Sequence, residues 1–186
     1  MYLYIFILFK YILCIIKDSR KIVITFSRAD ENYPAVQLEV GNTERLGDII
    51  IGYTHADKHH IEPVNPYPKG YKACCDQALE EKENNARPEV ANPLDNLDNY
   101  DTIFFGYPIW WGEIPMPAYT FIEKLNFAGK TVIPFCTHEG SGNGGTFKKL
   151  QNILTGAKFL KGIEIQGNRV DNSKEIVEKW LTTIGF

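Results

Sequence analysis

Short apolar runs alternate with amphipathic stretches along most of this chain. Residues 21–26 (KIVITF) form a compact, β-branched run ending at Ser27, the pattern of a buried first strand. Residues 101–107 (DTIFFGY), 130–136 (KTVIPFC) and 157–165 repeat that signal, although Pro134 weakens the far end of the second of these. Residues 60–63 predict a shorter strand. Residues 42–52 read as a helix with Asn42 as its N-cap. In residues 69–85, Tyr71, Cys75 and Leu79 recur at helical spacing, with Glu80, Glu81 and Glu83 on the solvated side. Residues 117–125, with Pro117 in the first turn, 146–154 and 173–184 complete the helices. Alternation of this kind predicts an α/β fold, a doubly wound sheet of five parallel strands with helices on both faces. Ligands bind such sheets beyond the carboxyl ends of the strands, where strand order reverses. The loops after the first, third and fourth strands are therefore where chemistry is expected.

The first 20 residues break the pattern. From Met1 to Ile16 only Lys10 is neither apolar nor aromatic, and Lys17, Arg20 and Lys21 follow. The run is shorter than the ~20 residues that span a bilayer comfortably, and it lacks the basic n-region and small-residue cleavage site of a signal peptide. Two readings fit it: an anchor holding the domain weakly at the cytoplasmic face of a membrane, or a leader from a start codon upstream of the native one. Residues 21–186 form the expected domain.

Composition narrows the function. The chain has 186 residues, 44% hydrophobic and 23% charged, enough for one domain with a real core. Its net charge is −3, and no dense run of Lys and Arg supplies the basic face that nucleic acid needs. Cys14, Cys74, Cys75 and Cys136 form no C-x-x-C pair, and His59 and His60 have no second ligand pair at metal spacing. Scattered thiols, a cytoplasmic setting and no metal are expected.

The three loops differ in chemistry. In the first, Ser27 and Arg28 follow the strand, and Asn42, Thr43 and Glu44 open the next helix. Such donors at a helix N-terminus suit a phosphate, although ordinary helix capping also explains them. Without G-x-x-x-x-G-K-[ST], a monophosphate ester fits better than a triphosphate with magnesium. The second loop, Gly106 to Gly112, sets Tyr107, Trp110 and Trp111 at the sheet edge, where a flat conjugated ligand would give indoles a stacking partner. Adjacent Trp110 and Trp111 cannot easily point the same way, so one of them should face ligand or solvent. The third, residues 137–145, is rich in glycine, which lets backbone approach a ring edge closely. A flexible connector is the bland alternative.

Taken together, KIVITF-Ser27-Arg28, GNTE (residues 41–44), GYPIWWGEIPMP (106–117) and PFCTHEGSG (134–142) resemble flavodoxin-like proteins of the flavodoxin 4 type. PYPKGYKACCDQALEEKENNARPE (66–89) is also similar to that group, and the likeness spans roughly residues 21–186. The resemblance implies a three-layer flavodoxin-like sheet in the order 2-1-3-4-5 and FMN as cofactor. It implies a phosphate held by Ser27, Arg28, Asn42 and Thr43. It also implies isoalloxazine contacts from Pro108, Ile109, Trp110, Trp111 and Gly112, and from Thr137, His138, Gly140, Ser141 and Gly142. One departure stands out. The shortest flavodoxin phosphate loops run S-x-T-G-N-T without interruption, whereas residues 29–40 here separate Ser27-Arg28 from GNTE, so the insertion must bulge away for both halves to meet.

Three functions are open to such a chain. One is an FMN oxidoreductase that takes two electrons from a reduced nicotinamide and passes them to a quinone or similar small acceptor. There His138, titratable near neutral pH, would be a hydrogen-bonding or electrostatic neighbour of the flavin. Another is a one-electron shuttle between redox proteins. Lys10, Lys17 and Arg20 against Asp18 give the leader +2, which leaves −5 on the domain, a modest charge for steering a protein partner. The third is a nicotinamide dinucleotide domain: residues 140–145 satisfy G-x-G-x-x-G, with Glu164 about 20 residues on. Only one strand follows that motif, and the tryptophan pair would go unexplained.

Overall fold

The computed structural model describes residues 20–186; the apolar leader and its anchor reading lie outside the described residues. Strand β1 (Lys21–Thr25) is followed by β2 (Asp30–Asn32), β3 (Val36–Leu38), helix α1 (Asn42–Thr54), β4 (Asp57–His60) and α2 (Tyr71–Glu83). Then come β5 (Thr102–Pro108), α3 (Met116–Ile122), β6 (Thr131–His138), α4 (Thr146–Ile153), β7 (Lys158–Phe159), β8 (Ile163–Gln166), a 3-10 turn (Gly167–Asn172) and α5 (Lys174–Ile184). The sheet is parallel in the order β4-β1-β5-β6-β7, with β8 also paired to β6. Counting β7 and β8 as one interrupted strand gives the expected order 2-1-3-4-5.

The period of two along the strands decides the layers. Ile22, Ile24, Ile103, Phe105 and Cys136 point to one face, where Cys74 and Ala78 of α2, Tyr119 and Phe121 of α3 and Leu150 of α4 meet them. Val23, Phe104, Ile133 and Phe135 point to the other, against Leu46 and Ile50 of α1 and Val177, Trp180 and Leu181 of α5. Each of these large side chains stabilises the fold by roughly 1.5–3 kcal/mol on burial. Among the described residues no helix is long and apolar enough to cross a membrane.

The structure differs from the sequence pattern in five places. The second strand is Asp57–His60, earlier than the apolar Ile61 suggested, because backbone pairing with β1 selects it rather than side-chain type. Strand β6 runs through Pro134 to His138, so Thr137 and His138 are strand residues rather than loop residues. The proline, which has no N–H to give, is accommodated in its neighbour instead. Two residues of β6, Ile133 and Pro134, face three, Leu160 to Gly162, and the fifth strand breaks there into β7 and β8. A Cβ on Gly162 would lie 2.4 Å from the Pro134 carbonyl oxygen, so only glycine fits the bulge. Helix α1 begins at Asn42 with Gly41 as its N-cap, and no side chain caps it. Residues 29–40 are an ordered antiparallel hairpin, pairing Asp30 with Leu38 and Asn32 with Val36.

Candidate cofactor site

The hairpin solves the problem posed by the interrupted phosphate loop. It leaves the sheet after Arg28 and returns at Gly41, where an added Cβ would stand 2.2 Å from Ser27 Oγ and 2.5 Å from Arg28 O. Ser27-Arg28 and Gly41-Asn42-Thr43 are thus in direct contact despite the residues between them. Without a side-chain cap, the first-turn N–H groups of α1 are left for solvent or an anion. The capping alternative therefore fails for Asn42 and Thr43: Asn42 Oδ1 accepts from Arg45, and Thr43 Oγ1 lies 2.6 Å from Thr137 Oγ1.

That last hydrogen bond joins the start of α1 to the end of β6, and both hydroxyls are buried. The second loop is drawn in by Ile109 N–H donating to Thr137 O at 2.8 Å. Between these elements lies a cavity of about 470 Å³, lined from the predicted set by Ser27, Arg28, Asn42, Thr43, Pro108, Ile109, Trp110, Trp111, Thr137 and His138. Gly112, Gly140, Ser141 and Gly142 do not line it. The third loop instead folds towards β8, where Asn143 N–H donates to Glu164 Oε2 at 2.8 Å. Glu164, the acid a dinucleotide ribose would need, is spent on that contact.

The two tryptophans diverge. Trp110 meets Phe26 and Tyr67 edge-on, with ring centroids 5.3 and 5.0 Å away, and is partly buried. Trp111 is 50% exposed at a left-handed φ of 54°, a costly conformation for a bulky residue. Its Nε1–H donates to Cys75 O at 2.9 Å, and Lys82 Nζ donates to its carbonyl at 2.7 Å. The turn itself is closed by reciprocal backbone bonds between Trp110 and Glu113. Glu113 is buried; burial pushes its carboxyl up, but Lys149, the Ile114 N–H and the Tyr119 hydroxyl outweigh that and hold it below its ordinary value.

Other polar groups set the field of the cavity. Gly140 N–H donates to His138 Nδ1 at 3.0 Å, which fixes Nδ1 as an acceptor and places the proton of the neutral ring on Nε2. Arg28 donates from Nη1 to Glu31 O at 2.6 Å and from Nη2 to Pro68 O at 2.6 Å and to Lys69 O. Its Nε is buried with no hydrogen-bond partner among the described residues. Desolvation raises the carboxyl of Glu139, whose Oε1 shares the space beside Gly167 with Asn42 Nδ2. Burial also pushes the Cys74 thiol up to about 11, with Arg28 opposing it.

Sequence reasoning missed one wall. Asn32 and Tyr33 of the hairpin, Tyr71, Lys72, Cys74, Cys75, Asp76 and Ala78 of α2, and Glu139 also line the cavity. The aromatic pair Tyr33 and Tyr71 was the available signal, but they are 38 residues apart and nothing local brings them together.

A flavodoxin family model (flavodoxin 4) matches residues 35–184. The chain belongs to that flavodoxin family. Among solved structures, a protein from Bacteroides uniformis described provisionally as a flavoprotein is 29% identical, with a TM-score of 0.68 over 88% of this chain and 98% of that one. A second, from Bacteroides eggerthii and described in the same terms, is 25% identical with a TM-score of 0.71, covering 90% and 99%. A flavoprotein of Lactobacillus acidophilus, solved in complex with FMN, shares the fold at 18% identity and a TM-score of 0.61, covering 83% and 97%. No protein of curated function matches this flavodoxin in sequence.

Proposed function

We propose that this flavodoxin binds FMN non-covalently in the cavity and works as an oxidoreductase, passing two electrons from a reduced nicotinamide to a quinone or similar small acceptor. The observation that carries the binding half is the Thr43–Thr137 hydrogen bond. It sets an uncapped helix N-terminus and the end of β6 around one cavity, the two ends of a molecule with a phosphate tail and a planar ring. The residues fit that molecule. Arg28 lines the cavity and its Nε–H is a buried donor without a partner among the described residues, and the first-turn N–H groups of α1 carry no side-chain cap. The FMN complex of the Lactobacillus acidophilus protein supports the same cofactor here.

Ser27, Arg28, Asn42 and Thr43 are assigned to the phosphate end, and Pro108 to Gly112 with Thr137 and His138 to the ring. Gly140 to Gly142 lie outside the cavity wall, and with the Gly140 N–H given to His138 it is Ser141 and Gly142 that are assigned to the ring edge through backbone N–H groups. FMN supplies the two-electron relay when bound. The nicotinamide gives up two electrons and one proton; the quinone takes two electrons and two protons, the second from solvent. His138 is assigned as donor to the ring through Nε2, and the half-exposed Trp111 as a cover that excludes water.

The test begins with an absorption spectrum of the purified protein, or of the protein after incubation with FMN. Flavin bands, with heat release of a chromophore identified as FMN, are expected; a protein that stays colourless with added FMN sinks the reading. NADH or NADPH oxidation by the loaded protein with a quinone then separates an enzyme from a one-electron shuttle, which would need a redox protein instead. His138→Ala should shift the flavin midpoint potential or lower turnover about tenfold or more; a variant unchanged in affinity, potential and turnover removes that role.

A further inference from the structure

We infer that the outer part of the cavity, between the hairpin tip and the start of α2, is a subsite for a flat, uncharged aromatic acceptor of the quinone class, with Tyr33 setting its specificity. This rests on the flavin reading above and names the acceptor's place within the same site.

The wall concerned is additional to the loops at the strand ends. Eight of the nineteen lining residues come from the hairpin and α2. It is also a built wall. Arg28 bonds three carbonyls on both sides of it, Glu31 N–H donates to Lys69 O at 3.3 Å, and Tyr71 N–H donates to Glu31 Oε2 at 2.9 Å. Asn32 Nδ2 braces the hairpin base, donating to Ala29 O and Asp30 O at 3.1 and 3.2 Å.

Beside this braced backbone three aromatic rings are left bare: Tyr33 is 53% exposed, Trp111 50% and Tyr71 39%. The Tyr33 and Tyr71 rings lie 6.2 Å apart at a tilt of 41°, and the Trp111 indole is pinned to Cys75 O. Tyrosine and tryptophan rings have only two side-chain torsions to lose when a planar molecule covers them, so they bind such molecules efficiently.

Charge narrows the ligand further. Among the described residues lining the cavity, Lys72 is paired with Asp76 at 2.6 Å, and the terminal nitrogens of Arg28 are occupied by carbonyls. The outer wall therefore offers no surplus positive charge to the pyrophosphate of a dinucleotide, and the Arg28 nitrogen without a partner among the described residues, Nε, is assigned to the FMN phosphate. A quinone carries no charge and offers two acceptor oxygens, which matches aromatic faces with a tyrosine hydroxyl among them.

The experiment titrates oxidised, FMN-loaded protein with tetramethyl-1,4-benzoquinone, whose filled ring positions bar addition of the Cys75 thiol, and follows flavin fluorescence. Oxidised flavin does not turn over, so the readout is binding alone. Saturable binding is expected, with Kd raised about five- to tenfold in Tyr33→Ala, the worth of one aromatic contact, and largely restored in Tyr33→Phe. FMN affinity should move by less than about twofold in either variant, as expected for a side chain at the far wall. Tyr71→Leu, on a separate element, should weaken quinone binding in the same direction. Equal quinone binding by wild type and Tyr33→Ala, or loss of FMN by the same factor as quinone, overturns the subsite. Wild-type protein that takes up FMN but shows no saturable quinone binding overturns it too. Failure to take up FMN at all falls on the flavin reading, before any quinone is added.

Discussion

At Gly41 a methyl group would collide with Ser27 Oγ at 2.2 Å and with the Arg28 carbonyl at 2.5 Å, and the second of these is backbone that cannot rotate away. Gly41→Ala should therefore cost about 1–3 kcal/mol of stability through overpacking and pry open the contact between the halves of the phosphate loop. FMN affinity is expected to fall at least about tenfold in a calorimetric titration, the equivalent of 1.4 kcal/mol, with the far-ultraviolet spectrum unchanged. Gly106 shows the same logic inside the sheet: it pairs with Phe135 on β6, and a Cβ would lie 2.1 Å from that ring. Both glycines were visible in the sequence as motif letters. What they make room for was not, because the partner residues are distant in the chain.

Among the elements, the hairpin β2–β3 is tied to the 68–71 segment by the Glu31 bonds to Lys69 O and Tyr71 N–H and above all by one side chain. Its few backbone bonds would hold a two-stranded ribbon only marginally, and Arg28 adds charge-assisted bonds to carbonyls on the hairpin and on the 68–69 segment. Such bonds contribute roughly 1.5–3 kcal/mol each when buried, less where solvent reaches them. Arg28→Met keeps the stem and removes the donors. Hydrogen exchange and proteolytic cleavage within residues 29–40 should then rise sharply while β1, β5 and β6 keep their protection. Unchanged protection of the hairpin would show that another contact holds it. The element was read from sequence only as a bulge, because its strands are three residues each and carry no alternating apolar pattern.

On the scale of the whole molecule, stability should depend on pH through His59, which packs against Phe121 with ring centroids 5.1 Å apart. Burial, together with the adjacent His60, pushes its imidazole below the ordinary value, and Nε2 has no hydrogen-bond partner among the described residues. A depressed folded value means the stabilisation is complete above the unfolded pKa of about 6.5 and is lost as pH falls from there towards the folded value. Tm should be level between about pH 7 and 8 and drop as pH falls below about 6.5, where the unfolded chain binds the extra proton. His59→Phe, which keeps a ring against Phe121, should flatten that slope; an equal slope in the variant would assign it to other groups.

The sequence by itself determined the layers and the rough site. The near-continuous apolar runs within residues 21–26 and 101–107 bury both faces, as only a covered sheet allows, and paired aromatics beside glycine and proline at 106–112 mark a strand end built for contact. These are local facts, carried by period and residue type. The tertiary structure alone decided the rest. It brought Tyr33 and Tyr71 to one wall, joined Thr43 to Thr137 across 94 residues, and turned the interrupting segment into a hairpin. Contacts of that range depend on how whole elements pack, and no window of sequence contains both partners.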